Sequence, residues 1–172
     1  MCQSLFQQLL SGGILHIRKL AQLIVLLGVS TTPSLASDAK QMRCLALNIY
    51  FEARGETTEG QLAVAMVTVN RVKSRHYPNT VCGVVWQKRQ FSWTHDGRSD
   101  RPRDIRAWKL AQKISRFAYQ KYGNFSERTR NALDLTKGAL HYYAPELALP
   151  YWAKVHSVTR EIGRHIFLTG RS

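Results

Sequence analysis

An α+β fold, mainly helical with a small antiparallel sheet, is what this sequence predicts, and three stretches predict it. From Met42 to Val72, apolar residues recur at helical spacing in two successive segments. A further amphipathic stripe runs from about Arg103 to Tyr122. Beyond it the pattern changes to short runs rich in Val, Tyr, Phe and Ile, bounded by Gly and Pro, which is strand chemistry.

Residues 1–36 contain no acidic residue, carry His16, Arg18 and Lys19, run through the apolar LAQLIVLLGV and end in TTPSLA. A basic start, a short apolar run and small residues at Ser34 and Ala36 form the pattern of an export signal cleaved before Ser37. An uncleaved anchor is the competing reading, although the apolar run is short for a membrane span. The expected organisation is therefore 1–36 as signal peptide or anchor and 37–172 as a single domain, long enough for one core. That domain keeps Cys44 and Cys82 and loses Cys2. An even pair in an oxidising compartment reads as one disulfide, tying the first helix to the VCGVVWQ segment; two buried thiols are the alternative. Two Cys at this separation without a nearby His pair do not suggest a metal site, and no cofactor is expected.

The first helix is expected over Met42–Ala53, with Leu45, Ala46, Ile49 and Ala53 on its apolar face and Gly55 near its end. Glu52 then falls in the last turn. The negative end of the helix dipole and partial burial both disfavour its charged form, and a carboxyl group kept protonated near neutral pH is what a general acid requires. Thr57 or Thr58 caps a second helix that continues through Gln61, Val64, Ala65, Val67, Thr68 and Arg71, apolar on most faces and so central to the core. Glu52, Glu56 and Glu59 are three of only 11 acidic residues, so their clustering beside apolar segments is unusual. An ordinary ion-pair network of Glu52 and Glu56 with Arg54 and Arg71 at the helix junction explains the same spacing.

SRHYPNT reads as a loop, followed by the apolar VVWQ run and then QFSW, in which Phe91 suits the core and Gln90 and Ser92 suit a cleft wall. THDG marks a turn with His95 and Asp96 exposed. In the next helix Ile105, Trp108, Ala111, Ile114 or Ser115, Ala118 and Tyr122 face inward, Arg106, Lys109, Gln112, Lys113 and Arg116 face outward, and Gly123 stops the run. GALHYYAP, Lys154–Val158 and HIFL are the expected strands, and alternation places His141 and Tyr143 on one face. Trp152 fits either a cleft rim or the core, and His165 fits either a buttress or a substrate contact.

The blocks YFEARGE, EGQLAVAMVTVNRV, YPNTVCGVVWQ, QFSW, DLTKGALHYY and IGRHIF appear in order, and together they resemble the cell-wall hydrolase family of the spore cortex-lytic enzyme type (SleB-like). The resemblance covers nearly all of the chain after Arg43; Leu135 and Lys137 depart from the family pattern in DLTKG. It implies a peptidoglycan-cleaving catalytic domain of lysozyme and lytic-transglycosylase type, with the first Glu of EARGE, Glu52, as the catalytic acid. In a one-carboxyl scheme Glu52 protonates the oxygen between N-acetylmuramic acid and N-acetylglucosamine, then takes a proton from the muramic C6 hydroxyl as a 1,6-anhydro ring closes. Muramidase-type hydrolysis instead needs a second carboxylate, for which Glu56 stands ahead of Glu59. Gln61, Gln90, Ser92, Trp93, His141, Tyr143 and Trp152 are the expected substrate-binding residues.

A wall amidase would want a metal site or a Cys/His nucleophile, and the sequence has no HExxH. A non-catalytic wall-binding module is the remaining alternative. The net charge of +14 attracts polyanions. The basic residues are spread along Lys73, Arg75, Lys88, Arg89, Arg98, Arg101, Arg103 and Arg106 without a nucleic-acid reading motif, so nucleic acid is not the expected partner. Peptidoglycan strands, with peripheral contact to a membrane or an anionic wall polymer, fit an exported protein of the periplasm or cell envelope.

Overall fold

The computed structural model describes residues 35–170, so the export-signal reading of the N-terminal segment lies outside the described residues save for its last two positions. Helix α1 spans Leu35–Ala53 and starts seven residues before the expected Met42. The extension is held in place by its own side chains: Asp38 accepts from the Tyr119 hydroxyl at 2.8 Å, and Gln41 Oε1 accepts from the Cys82 backbone N–H at 2.9 Å. Glu56 N–H closes on Ala53 O at 2.9 Å and ends the helix in a tight turn.

Helix α2, Thr58–Lys73, begins where Thr57 Oγ1 accepts from Gly60 N–H at 3.2 Å. It is the hub of the fold. Ala63, Val64, Ala65, Val67 and Thr68 are fully buried, and Met66, Val69 and Arg71 nearly so. Burying each Val or Met side chain contributes about 1.5–3 kcal/mol. Cys44 of α1 is bonded to Cys82 of the short helix α3, Val81–Val85, the pairing expected from the sequence.

Helix α4, Ile105–Gln120, is capped by Asp104, whose carboxylate accepts from Ala107 N–H at 3.0 Å. Ala111, Ile114 and Ala118 are buried and the predicted outward residues are exposed, but Ile105 opens the helix with 59% of its surface in solvent. Gly123 does not stop α4. The helix ends at Gln120, and Tyr122–Asn124 form a 3-10 turn because the buried Tyr122 hydroxyl donates inward to Asn70 Oδ1 at 3.1 Å. A further helix, α5, spans Glu127–Leu133 and is capped by Ser126.

The sheet holds β1 (His141–Tyr143), β2 (Val158–Ile162) and β3 (His165–Leu168) in the order β1-β3-β2, antiparallel throughout. The strand expected over Lys154–Val158 lies further along. Tyr151–Val155 forms a 3-10 turn after Pro150, and pairing starts at Val158 because Gly163–Arg164 makes a two-residue hairpin turn that sets the register Ile162 to His165. Gly163 has φ +58, a left-handed value natural to glycine. Ahead of β1, Asp134 is a buried anchor: it accepts from Asn70 Nδ2, Thr136 N–H, Thr136 Oγ1–H and Gly138 N–H at 2.7–2.8 Å. Lys137 in this loop has φ +55 and Gly138 φ +78, so the chain folds tightly around that carboxylate before entering β1.

Candidate active site

The last turn of α1 delivers Glu52 to a cavity of about 270 Å³ walled by Arg71 of α2, Arg89, Gln90 and Phe91 of the following loop, His141 and Tyr142 of β1, and Trp152 and His156 beyond it. The Tyr142 hydroxyl donates to Glu52 Oε2 at 3.3 Å, and Oε1 has no hydrogen-bond partner among the described residues. Burial raises the Glu52 pKa to about 7; the Tyr142 hydrogen bond and the positive charge of Arg71 pull the other way and are outweighed. Burial beside the Glu52 carboxylate holds the Tyr142 phenol well above its ordinary range, so it stays a donor.

Arg71 is the cation of this wall and is itself only 3% exposed. Its Nε donates to Leu140 O at 2.7 Å, which ties α2 to the residue before β1. Its guanidinium lies 5.3 Å from the Tyr77 ring centre and 5.5 Å from that of Phe91. With the Gln90 amide turned so that its oxygen faces the guanidinium, Gln90 accepts from both Arg71 NH groups at 3.0 and 3.2 Å. Opposite, the His141 and His156 rings stack at 4.3 Å, and Tyr77 Oη lies 3.4 Å from His141 Nε2. Burial, with Arg71 and His156 nearby, pushes His141 down to about 4, so it is a neutral imidazole at physiological pH.

The structure gathers some of the predicted site residues and separates others. Glu52, Gln90, His141 and Trp152 share the cavity. Glu56 does not line it: its side chain is 4% exposed and turned to the β2–β3 turn, where Oε1 accepts from Arg164 Nε at 2.7 Å and Oε2 from Arg164 N–H at 3.1 Å. Burial alone would raise the Glu56 pKa, but the Arg164 hydrogen bonds and charge bring it below the usual carboxylate value. Gln61 is buried in α2 and donates to Glu56 O at 3.1 Å, a helix-junction contact away from the cavity wall. Ser92 is exposed at the start of a 3-10 turn, and Trp93 is 7% exposed, stacked on Phe51 at 4.8 Å, on the far side of that loop. Tyr143 packs edge-on to Trp152 at 6.2 Å and leaves the Glu52 contact to its neighbour Tyr142. His165 is a buttress: it is 6% exposed and packs edge-on to the Tyr142 ring at 5.3 Å.

Arg71, Tyr142 and His156 were not singled out as site residues by sequence reasoning. Arg71 had a legible signal, the lone cation within an otherwise apolar helix face. Tyr142 did not, because alternation along a strand tells which residues share a face but not which face meets Glu52.

A mainly helical domain of lysozyme-like fold, with a buried carboxyl group of raised pKa in a cleft between helix and sheet, defines this protein as a glycosidase-type scaffold. The chain belongs to the Cell Wall Hydrolase family, whose pattern matches residues 55–168 and so begins just after Glu52. It is 33% identical over 126 residues to the spore cortex-lytic enzyme of Oceanobacillus iheyensis and 34% identical over 126 residues to that of Bacillus cereus, each alignment covering 73% of this chain. It covers 40% and 43% of those proteins, so the chain spans about two-fifths of the relatives it matches. The solved catalytic domain of the germination-specific lytic transglycosylase SleB from Bacillus anthracis superposes with a TM-score of 0.60 at 31% identity, over 82% of this chain and all of that one.

Proposed function

We propose that this protein cleaves the glycan strands of peptidoglycan as a lytic transglycosylase, with Glu52 as its single catalytic carboxyl group. The observation that carries the reading is the contrast between two glutamates one helical turn apart in sequence. Glu52 opens on a cavity with a pKa of about 7, while both oxygens of Glu56 are taken by Arg164.

A group of that pKa is about half protonated at neutral pH and serves as acid and base in turn. Tyr142 holds Oε2, leaving Oε1 to reach the glycosidic oxygen. After proton transfer the carboxylate is stabilised by the Tyr142 hydroxyl and by Arg71, so it can accept the muramic C6 hydroxyl proton as the 1,6-anhydro ring closes. Water is not the nucleophile. The neutral His141, together with the His156 and Trp152 rings, offers hydrogen-bonding edges and an apolar face of the kind that sugars require.

The SleB domain to which this chain is similar is described as a lytic transglycosylase, which supports the same assignment here. We place residues 1–36 as an export signal or anchor and 37–172 as the catalytic domain, acting in the periplasm or cell envelope, where a basic protein meets anionic wall material. Among the described residues no helix is long and apolar enough to cross a membrane.

Digestion of purified peptidoglycan, with mass analysis of the released muropeptides and Glu52→Gln in parallel, tests the proposal. Products one water lighter than reducing muropeptides, absent with the variant, are expected. Reducing muramic ends would mean hydrolysis, and free stem peptides would sink the glycosidase reading.

A further inference from the structure

A second, larger cavity of about 750 Å³ is assigned no role by the chemistry above. Neighbouring residues of the same segments line it and the Glu52 cavity. Phe51 lines the larger cavity and Glu52 the smaller, while Trp93 lines the larger and Phe91 the smaller. The end of α1 and the Phe91–Trp93 loop therefore contribute side chains to both cavities. On the side of the larger one Phe51 and Trp93 stack at 4.8 Å, and Tyr50 meets Phe51 edge-on at 5.0 Å.

The lining of this cavity is charged in a particular way. Arg54, Arg98, Arg101 and Arg103 all border it, and none is ion-paired to a carboxylate among the described residues. Arg54 is held over the Tyr50 ring at 5.1 Å, and the Arg103 backbone is pinned by its N–H to Tyr50 Oη at 3.1 Å. Three aspartates share the border, but two have structural work: Asp96 accepts from Arg98 N–H at 2.9 Å and Asp104 caps α4. Asp100 alone has no hydrogen-bond partner among the described residues. Several unpaired guanidinium groups and one unpaired carboxylate around an aromatic floor match a ligand with several carboxylates and one amine, a short zwitterionic peptide, better than a uniform polyanion.

We propose that this cavity binds the stem peptide attached to the muramic residue held beside Glu52, with the arginines on its carboxylates and Asp100 on its free amine. The inference rests on the peptidoglycan reading of the Glu52 site. The lactyl ether that carries the peptide projects from the sugar ring, and the larger cavity is lined by Phe51 and Trp93, close in sequence to the Glu52 and Phe91 that line the smaller one. The peptide would thus position the strand while Glu52 acts on it, and the arginines would select peptide-bearing strands.

The test uses the full chain and two readouts. In calorimetric titration, a soluble muramyl tetrapeptide should bind wild type, and Arg98→Gln with Arg101→Gln together should weaken binding about five- to tenfold, since each exposed charge pair contributes modestly. Thermal unfolding of the double variant shows whether it is folded; both side chains are exposed, so an unchanged midpoint is expected. In cleavage assays, the wild-type preference for strands with free stem-peptide carboxylates over strands with those groups amidated should collapse in the variant. Equal binding of peptide-free N-acetylmuramic acid, whose lactyl carboxylate is the other source of charge, would overturn the peptide assignment, as would an unchanged preference in the variant. Peptide binding by a wild type that cuts no strand would sink the catalytic proposal and leave this one standing.

Discussion

The role proposed for Glu52 asks for a group acidic enough to lose a proton and buried enough to keep one, and its surroundings hold those demands in balance. The same balance makes it costly to the fold. Its pKa is raised from 4.5 to about 7, so the folded state holds the proton more tightly than the unfolded chain does. The stability associated with that proton is fully present below about pH 4.5 and is lost as pH rises through about 7, a difference of about 3 kcal/mol. Glu52→Gln should therefore abolish cleavage and yet unfold at higher denaturant than wild type at pH 8, with little difference at pH 4; urea titrations at the two pH values check this, and equal midpoints at pH 8 would contradict the buried-acid assignment. Tyr142→Phe removes a hydrogen bond that lowers the Glu52 pKa, so the alkaline limb of the pH–rate profile should move upward, with a stability loss of about 1 kcal/mol. A limb that stays in place would mean that another group sets it. Arg71→Met should be the most damaging change at this scale, about 3–5 kcal/mol by chemical denaturation, because Leu140 O and Gln90 lose a buried partner and Glu52 its nearest cation.

At the scale of elements, the site depends on a hairpin that never enters it. The β2–β3 turn is latched to the α1–α2 junction through Arg164 and Glu56, and β3 carries the His165 and Phe167 rings that pack on Tyr142. Gly163 is required twice: its φ is +58, and a Cβ there would collide with Glu56 Oε2. Gly163→Ala should cost about 1–3 kcal/mol, from backbone strain and from opening the latch, whereas Arg164→Ala, which keeps the glycine, should cost less. Thermal denaturation of the pair distinguishes them, and equal losses would remove the role given to the turn. The helices were legible in the sequence because amphipathic spacing and caps are local, as Thr57 and the α4 stripe show. The strand over Val158–Ile162 lies beyond its expected place because KVHSV and VTREI have similar β-branched content and local pattern does not choose between them; the deciding feature is the Gly163 turn, which sets pairing with β3.

For the whole molecule, the Cys44–Cys82 bond closes 38 residues that include Glu52, Arg71 and Tyr77. Cross-linking so long a loop removes unfolded-state freedom equivalent to about 2–4 kcal/mol, so reduction, or Cys44→Ala with Cys82→Ala, should lower the melting temperature by that equivalent. Loss of activity on reduction at temperatures where the fold survives would show that the bond also shapes the site. What the sequence by itself determined is local: the helical core, Cys44 and Cys82 as a candidate pair, and Glu52 as a carboxyl group at the end of a helix with its pKa pushed upward. Tertiary structure alone decided the partners of each carboxylate. Glu52 and Glu56 are equivalent by spacing, but folding turns one toward Tyr142 and an open cavity and the other onto Arg164, residues 90 and 108 positions away along the chain. Whether a carboxylate is an acid or an anchor depends on its desolvation and on the charges around it, and both are set by contacts that no local pattern encodes.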